Sequence, residues 1–284
     1  MATFFNQATL SYNGNSVNSN IVTGELVEVI TATKTALTDD YTTGDIVSYA
    51  VSIINSGTTD FRGLEITDNL GAYTFNETTL VPLTYVDGSV RYFINGDLTA
   101  APTVTAGPPL TISGITVPAG GNAIIVYSAR VNSFAPLGEG SAITNTVTVT
   151  GGGLSSDITA EATVPAVTEA SLTITKTLNP TTVTDNGELT YTFIIQNTGA
   201  QAVTATDDAS ITDTFDPIID ITDVTFDGAL WTEGTNYTYD ETTGLFTTVP
   251  GQITVPAATY TQDPATGAYI INPGTVTLTV TGTV

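Results

Sequence analysis

The chain of 284 residues contains neither cysteine nor histidine. Without cysteine it has no disulfides, no thiol nucleophile and no thiolate ligands for a metal. Without histidine it lacks the usual general base and the commonest metal ligand in proteins. Most hydrolase and oxidoreductase sites are excluded as a result. The sequence therefore predicts a protein that is not an enzyme and that requires no cofactor and no metal.

Basic residues are also scarce, since 5 lysine and arginine residues face 28 acidic ones and leave a net charge of −23. Such a surface repels phosphate backbones and anionic lipid, so we expect no nucleic-acid partner. No apolar stretch reaches the length of a membrane span, so we expect no membrane insertion either. Residues 1–6 lack the basic and apolar regions of a secretory signal. We expect either a signal already removed or an unusual route to the site of action.

Only two lysines occur, Lys34 and Lys176, and each lies in a similar phrase, Ala32-Thr33-Lys34-Thr35 and Ile174-Thr175-Lys176-Thr177. Lysine is normally a common and scattered surface residue. Here the two copies are separated by half of the chain length. This spacing indicates an internal repeat and a use of lysine other than solubility.

The sequence has a β texture throughout, with short alternating runs of Thr, Val, Ile and Tyr between Gly, Asn, Asp and Pro. Val47–Ile53 and Leu189–Ile195 alternate in this way. Hairpin turns are predicted at Asp87-Gly88, Asn95-Gly96, Asn186-Gly187 and Asp227-Gly228. No capped amphipathic helix is evident. The pattern predicts an all-β fold of two tandem Ig-like antiparallel β-sandwiches.

Further marks align the two repeats and fix the domain boundaries. The matching pairs are Gly44–Tyr49 with Gly187–Tyr191, Asn55-Ser56-Gly57 with Asn197-Thr198-Gly199, Ile66-Thr67-Asp68 with Ile211-Thr212-Asp213, and Ile115–Ala119 with Ile253–Ala257. We predict a first sandwich over residues 27–162, a linker over 163–170 and a second sandwich over 171–284. Residues 1–26 are predicted to be a donor strand with a flexible lead-in.

The repeats differ at their ends. Repeat one adds a final strand, Ile143–Thr150, which contains Asn145, whereas repeat two runs through Val276, Leu278 and Val280 without a counterpart. The pattern of that strand recurs near the start, at Asn6–Tyr12. We predict that Asn6, Ala8, Leu10 and Tyr12 insert into the incomplete second sandwich, with 13–20 as flexible lead-in. Insertion into another copy is favoured over the same chain, because a whole domain separates the strand from the gap. A sandwich that tolerates its open edge is the other alternative, although such edges are usually blunted.

A buried lysine amine beside an asparagine amide and a carboxyl group can react with that asparagine. Burial favours the neutral, nucleophilic amine, and a nearby acid can shuttle the proton. The product is an isopeptide bond plus ammonia. We predict Lys34, Asp68 and Asn145 as such a set within repeat one. Lys176 and Asp213 would use Asn6 of a neighbouring chain.

A simpler interpretation stays open at both positions. Lys–Asp pairs are more often salt bridges, and an asparagine at a strand start is often a turn or cap residue. Glu65 is a rival acid in repeat one. Because Ser210 holds its place in repeat two, Asp68 is preferred.

Repeat one resembles the bacterial surface repeat called domain of unknown function 11. The resemblance rests on Thr33–Ala36, Gly44–Tyr49, Asn55-Ser56-Gly57, Ile66–Leu70 and the terminal Asn145–Val149. Repeat two matches weakly, with an insertion at 205–210. The resemblance implies Ig-like sandwiches in long cell-surface or appendage proteins, some with Lys–Asn isopeptides. The missing signal resembles proteins of spore coats and appendages.

Two further clusters are candidate sites. Asp207, Asp208, Asp213, Asp216 and Asp220 would offer oxygen ligands to Ca²⁺, but no known calcium spacing is present and a solvated loop is favoured. Trp231 with Tyr237 and Tyr239 would stack on a sugar, but a core role is more common for a single tryptophan.

The sequence thus predicts a structural subunit of an extracellular, pilus-like filament at a cell or spore surface. Its partners would be copies of itself in a helical homopolymer formed by donor-strand complementation. The alternative is a monomeric adhesin or ligand-binding module that presents loops such as 69–76 or 227–239.

Overall fold

The computed structural model describes residues 2–284, which fold into β-strands joined by turns and short loops. The N-terminal segment contains β1 (Ala2–Asn6), β2 (Thr9–Tyr12), β3 (Asn15–Asn18) and β4 (Val22–Leu26). The first domain contains β5 (Ile30–Ala36), β6 (Ile46–Asn55), β7 (Phe61–Asp68), β8 (Tyr73–Phe75), β9 (Thr78–Leu80), β10 (Leu83–Tyr85), β11 (Arg91–Ile94), β12 (Asp97–Thr99), β13 (Thr103–Thr105), β14 (Leu110–Val117), β15 (Asn122–Val131), β16 (Ala142–Gly151) and β17 (Ile158–Pro165). The second domain contains β18 (Leu172–Asn179), β19 (Glu188–Asn197), a 3₁₀ turn (Ala205–Asp207), β20 (Thr212–Thr214), β21 (Asp220–Phe226), β22 (Ala229–Leu230), β23 (Tyr237–Asp240), β24 (Leu245–Thr248), β25 (Thr259–Gln262), β26 (Tyr269–Asn272) and β27 (Gly274–Thr283).

The first domain is a sandwich of two antiparallel sheets. One sheet has the order β12-β11-β15-β6-β5, with β10 also on β15, and the other has the order β13-β14-β7-β16-β17. Alternate residues of β6 point inward, and Val47, Tyr49, Val51 and Ile53 are fully buried. This period of two places one apolar face of each sheet in the shared core. The prediction of an all-β, antiparallel sandwich fold is confirmed.

The second domain repeats the first sheet but shortens the second. Its strands β18-β19-β27-β21-β22 follow the order of β5-β6-β15-β11-β12. Lys34 faces Val51 across β5 and β6, and Lys176 faces Phe193 at the same place on β18 and β19. The facing sheet consists of β20-β24-β23 only. The core of the second domain is rich in aromatic residues, with Phe215 stacked on Tyr191 at 4.7 Å between ring centroids.

Two strand positions of the first domain lack a counterpart in the second domain, within the part of the chain that the structure describes. In the first domain β16 pairs with β7, and β17 pairs with β16 and lies against β5. In the second domain β20 pairs with β24 alone, so its other edge is free. The sequence predicted one missing strand, whereas the structure leaves two positions open, because the face of β18 is uncovered as well.

The N-terminal segment forms a long antiparallel hairpin, which we call the arm (residues 2–26). Strand β1 pairs with β4, and β2 pairs with β3 across a turn at Asn13-Gly14, where both residues have positive φ. An Asn-Gly pair suits this hairpin turn. The segment 13–20, predicted as a flexible lead-in, therefore contains the returning strand β3. Apolar side chains of the arm are exposed: Phe4, Phe5, Leu10, Tyr12, Val17, Ile21, Val22 and Leu26.

A second hairpin, β25–β26, joins the two domains. The Tyr269 amide donates a hydrogen bond to the Ser133 carbonyl (2.8 Å), and the Gln262 side chain donates to the Tyr73 hydroxyl (3.0 Å). The predicted linker is also attached to the first domain, since the Val167 amide donates to the Tyr41 carbonyl (2.9 Å). The domains are thus connected by the chain and by this bridging hairpin.

Residues 2–284 include no helix of the length and apolar character that a transmembrane crossing requires.

Candidate functional site

Lys34 and Asp68 form an ion pair at the centre of the first sandwich. Lys34 comes from β5 of one sheet and Asp68 from the end of β7 of the other, so the sandwich brings them together across the core. Lys34 Nζ lies 2.7 Å from Asp68 Oδ2, and both side chains are fully buried. The amine also lies 4.6 Å from the centre of the Tyr49 ring. Two opposite charges removed from water need such close pairing.

Asn145 belongs to the same buried cluster. Its Nδ2 donates a hydrogen bond to the Tyr127 hydroxyl (3.4 Å), which in turn donates to Asp68 Oδ2. The Gly71 amide donates to Asn145 Oδ1 (3.2 Å), and the Leu70 amide donates to Asp68 Oδ1 (2.7 Å). Asn145 is therefore oriented by hydrogen bonds at both ends of its amide. The amide carbonyl carries a backbone donor, which is the polarity that attack by an amine would need.

Tyr127 is the member of this cluster that the sequence reasoning missed. It stands on β15 directly opposite Tyr49 of β6, with the rings stacked at 5.7 Å. The run Ile124–Val131 alternates like any core strand, so a tyrosine there is typical of packing. Its hydroxyl nevertheless connects the acid to the amide. No pattern in the sequence shows that Tyr127 meets Asp68 and Asn145 in the folded chain.

Burial changes the acid–base character of this cluster. Desolvation lowers the pKa of Lys34 from 10.5 to about 8, although the Asp68 carboxylate opposes the change. Desolvation, reinforced by Asp68, raises the pKa of Tyr127 well above its usual range, so its hydroxyl stays protonated and donates. A neutral Lys34 amine is therefore much more accessible near neutral pH than for an exposed lysine. The neutral amine is the nucleophilic form.

Glu65, the rival acid, is not at this site. It lies on β7 between Ser113 of β14 and Thr150 of β16 and is partly exposed. It lies three positions before Asp68, so the alternation of the strand places it on the opposite face. Asp68 is the carboxylate that Lys34 contacts.

The corresponding pair in the second domain is open to solvent. Lys176 Nζ contacts Asp213 Oδ2, but the two side chains are 38% and 19% exposed. The amine lies 4.4 Å from the centre of the Tyr191 ring. Val280 pairs with Tyr191 where Tyr127 pairs with Tyr49 in the first domain. Within the described range 2–284, no asparagine side chain hydrogen-bonds to Lys176 or Asp213.

Asn6, the predicted partner of Lys176, lies on the arm and is exposed. Its strand β1 pairs with β4 and with no strand of the second domain among those described. Ala8, Leu10 and Tyr12 are exposed on the same hairpin. Within one chain the structure therefore does not bring Asn6 to Lys176. Their association would need a second copy or a movement of the arm.

The two weaker candidates have structural explanations. Asp207 accepts hydrogen bonds from the Thr204 amide and hydroxyl, and Asp213 is paired with Lys176. Across the described residues no group of acidic side chains is arranged to hold a metal ion. Trp231 is 9% exposed and stacks on Phe226 at 4.9 Å, so it belongs to the core rather than to an open sugar platform.

The lowered pKa of Lys34 predicts a stability that depends on pH. In an Asn145→Ala variant Lys34 stays a free amine, which loses its proton near pH 8 when folded and near 10.5 when unfolded. Between these values the unfolded state binds more protons, so the free energy of unfolding should rise by ~2 kcal/mol from pH 8 to 9.5. Urea denaturation at these pH values measures the change. Adding Lys34→Met should remove the rise, and a rise that persists would contradict the assignment.

Comparisons with known proteins identify no relative in sequence. No family model matches the chain, so the resemblance to domain of unknown function 11 stays a prediction. No curated protein matches it either.

Solved structures give distant matches. The major pilin BcpA of Bacillus cereus has 12% identity and a TM-score of 0.37, covering 96% of this chain and 73% of that one. The pilus backbone RrgB of Streptococcus pneumoniae has 14% identity and a TM-score of 0.34, covering 86% and 55%. A fragment of the major pilin GBS80 of Streptococcus agalactiae has 12% identity and a TM-score of 0.35, covering 89% of this chain and 91% of that fragment. The chain spans about half the length of the two pneumococcal structures it matches. Similarity at this level assigns neither a family nor a function.

Proposed function

We propose that the chain is a structural subunit of an extracellular bacterial filament, polymerising head-to-tail by insertion of the arm of one subunit into the second sandwich of the next. The observation that carries this proposal is that the subunit has both an exposed apolar hairpin and an incomplete sandwich, which are complementary defects. The strands of the arm pair with no strand of either domain within residues 2–284 and expose apolar side chains, and the second sandwich has a free edge on β20.

Each defect is costly in water. Each exposed Leu or Phe of the arm that becomes buried contributes about 1.5–3 kcal/mol. The free edge of β20 presents backbone groups that pair with an added strand. The arm and the gap are different surfaces of one subunit, so insertion of one into the other is a heterologous contact. Such a contact gives a ring if its rotation closes and an open helical fibre if it does not, and the fibre is the form proposed here.

The charge of the chain favours this route over loose association. At −23 the subunits repel one another, so a contact needs buried apolar surface to persist. The arm is suited to this, because Glu25 is the single charged residue in 1–26. A charge-poor arm enters an acidic neighbour with little electrostatic cost.

The buried cluster of the first domain supports a covalent lock within the subunit. The neutral Lys34 amine attacks Cγ of Asn145, the new amide bond forms, and the bond from Cγ to Nδ2 breaks. Asp68 takes the proton from the amine and delivers it to the departing nitrogen, which leaves as ammonia. This happens once per chain, so the role is structural and not that of an enzyme with turnover.

The second pair would make the same bond between subunits. Lys176 and Asp213 lie where Lys34 and Asp68 lie, and an inserted Asn6 would take the place of Asn145. Insertion would also cover the pair and exclude the water that now reaches Lys176. The filament would then be joined covalently along its length, outside the cell and without a cofactor.

Mass spectrometry and gels test both bonds. The denatured chain should be lighter than its sequence by one ammonia for each bond, and a Lys34→Met variant should regain the first of these. Boiled denaturing gels should show a ladder of multimers. A Lys176→Ala variant should lose the ladder while filaments persist in electron micrographs. Full sequence mass and single bands throughout would leave both pairs as salt bridges.

A further inference from the structure

We infer that the inserted unit is the whole arm, both strands of it, and not a single donor strand. The β1–β2 side would take the position of β16 beside β20, and the β3–β4 side would take the position of β17 over β18. This inference rests on the proposed function, since it specifies what the neighbouring subunit contributes.

The first reason is that the face of β18 is exposed, and a single strand added beside β20 would leave it exposed. In the first domain β17 lies against β5, where Ile30 is 5% exposed and Lys34 is buried. At the equivalent positions of β18, Leu172 is 44% exposed, and the neighbouring Ile174 is 55% exposed. A strand added to β20 alone fills the place of β16 and leaves these side chains in water.

The second reason is the shape of the exposed surface. Leu172 and Ile174 of β18 face Ile211 and Ile253 across an apolar groove. One wall is formed by β18 and the other by Ile211, directly before β20, and by Ile253, so the occupant of the groove would close the gap between β18 and β20. In the first domain that gap is closed by the hairpin β16–β17, in which β16 pairs with β7 and β17 pairs with β16 and lies against β5.

The third reason is that the arm reproduces this hairpin. Asn145 on β16 pairs with Ala162 on β17, and Asn6 on β1 pairs with Val22 on β4. Further along, Leu10 pairs with Val17, so apolar residues lie on both strands. If only β1 and β2 entered the second domain of the neighbouring subunit, the side chains of Val17 and Val22 would have no apolar surface to pack against. Val17 and Val22 of the returning strand are exposed in the subunit, and insertion of the whole arm would bury them.

The register of the first domain gives testable pairs. Thr148 of β16 stands opposite Thr67, and Val147 stands opposite Asp68. With Asn6 at the place of Asn145, Thr9 would stand opposite Thr212 of the neighbour, and Ala8 opposite Asp213. Val22 would take the place of Ala162, on the side that covers β18.

Disulfide trapping in the full chain tests the assignment, because the protein has no cysteine of its own. One variant carries Thr9→Cys with Thr212→Cys and reports the β2 side. A second carries Val22→Cys with Lys176→Cys and reports the β4 side, because in the first domain Ile158 of β17 lies by Ile30 of β5 and Ala162 therefore lies near Lys34. Under mild oxidation of assembled protein, both should give multimers on non-reducing gels. Lys176→Ala is added to the first variant, and the second already lacks Lys176, so that reducible bonds alone are seen.

A charge scan provides the second measurement. Val22→Asp should lower the extent of polymerisation about tenfold or more, the result of losing at least ~1.4 kcal/mol of apolar burial at each contact. Thr23→Asp adds the same charge on the opposite face of the strand and is the matched control, for which we expect a smaller loss.

The outcomes separate the two levels of the proposal. Trapping at Thr9 alone, together with normal assembly of Val22→Asp, would show single-strand insertion and overturn this inference while leaving the filament intact. Disulfides within monomers would place the arm on its own second domain and overturn both. Absence of polymer in the unaltered protein would overturn the proposed function first.

Discussion

Leu10→Asp is expected to leave the protein monomeric under conditions in which the unaltered chain forms filaments. Leu10 is exposed in the subunit and would become buried in the neighbour, so the change places a carboxylate in an apolar groove. An unpaired charge in such a site costs several kcal/mol, which corresponds to a loss of more than a hundredfold in association. Sedimentation and electron microscopy would measure the loss.

Ser11→Asp is the matched control for this prediction. It adds the same charge one residue further along β2, where alternation directs the side chain to the opposite face of the arm. We expect filaments to persist. Removing residues 2–26 should reproduce the monomer of Leu10→Asp. Filaments of unchanged length from either protein would show that polymerisation does not use the arm.

Asp68→Ala is expected to destabilise the first domain by about 3–5 kcal/mol, because it leaves the Lys34 amine buried without its counter-ion. Asp213→Ala at the equivalent position should cost about 1 kcal/mol or less, since that pair is partly exposed to solvent. Urea denaturation would measure both. Leu10→Asp and Asn145→Ala in the background would keep the proteins monomeric and free of the crosslink.

A third variant separates loss of pairing from loss of packing at this site. Lys34→Met combined with Asp68→Leu replaces the two charges by apolar side chains of similar size, so most of the stability should return. If Asp68→Ala and Asp213→Ala had equal effects, the difference in burial between the two pairs would be without energetic consequence. The contrast is therefore a direct measurement of what the open second sandwich lacks.

Much of this architecture could be predicted from local sequence. Alternation of apolar residues predicts the sandwiches, and the repeated Lys, Ile-Thr-Asp and Asn-led strands predict that Lys34, Asp68 and Asn145 share one core. Such motifs indicate where a residue lies along its strand and which face of the sheet it occupies. The repeat presents each of them twice. They do not encode contacts between strands distant in sequence, and Tyr127 was missed for this reason.

The arm shows a second limit of sequence reasoning. Its Asn-rich stretch 13–20 has the composition of a flexible segment, yet Asn13-Gly14 is also the strongest signal for a tight hairpin turn. Composition favoured the wrong alternative. With this turn, residues 15–26 run back antiparallel to residues 2–12. The arm then offers two strands for the two open strand positions of the second domain.

The bridging hairpin β25–β26 determines where a fibre of the proposed kind bends. Hydrogen bonds from Gln262 and Tyr269 to the first domain support the short connection at 166–171, so the two sandwiches resist rotation about it. At the base of the arm, residues 27–29 join it to β5 outside any strand. Thermal bending would concentrate at this base, once per subunit. The two sandwiches of each subunit would therefore move as one stiff rod, and the fibre would bend mainly where one rod meets the next.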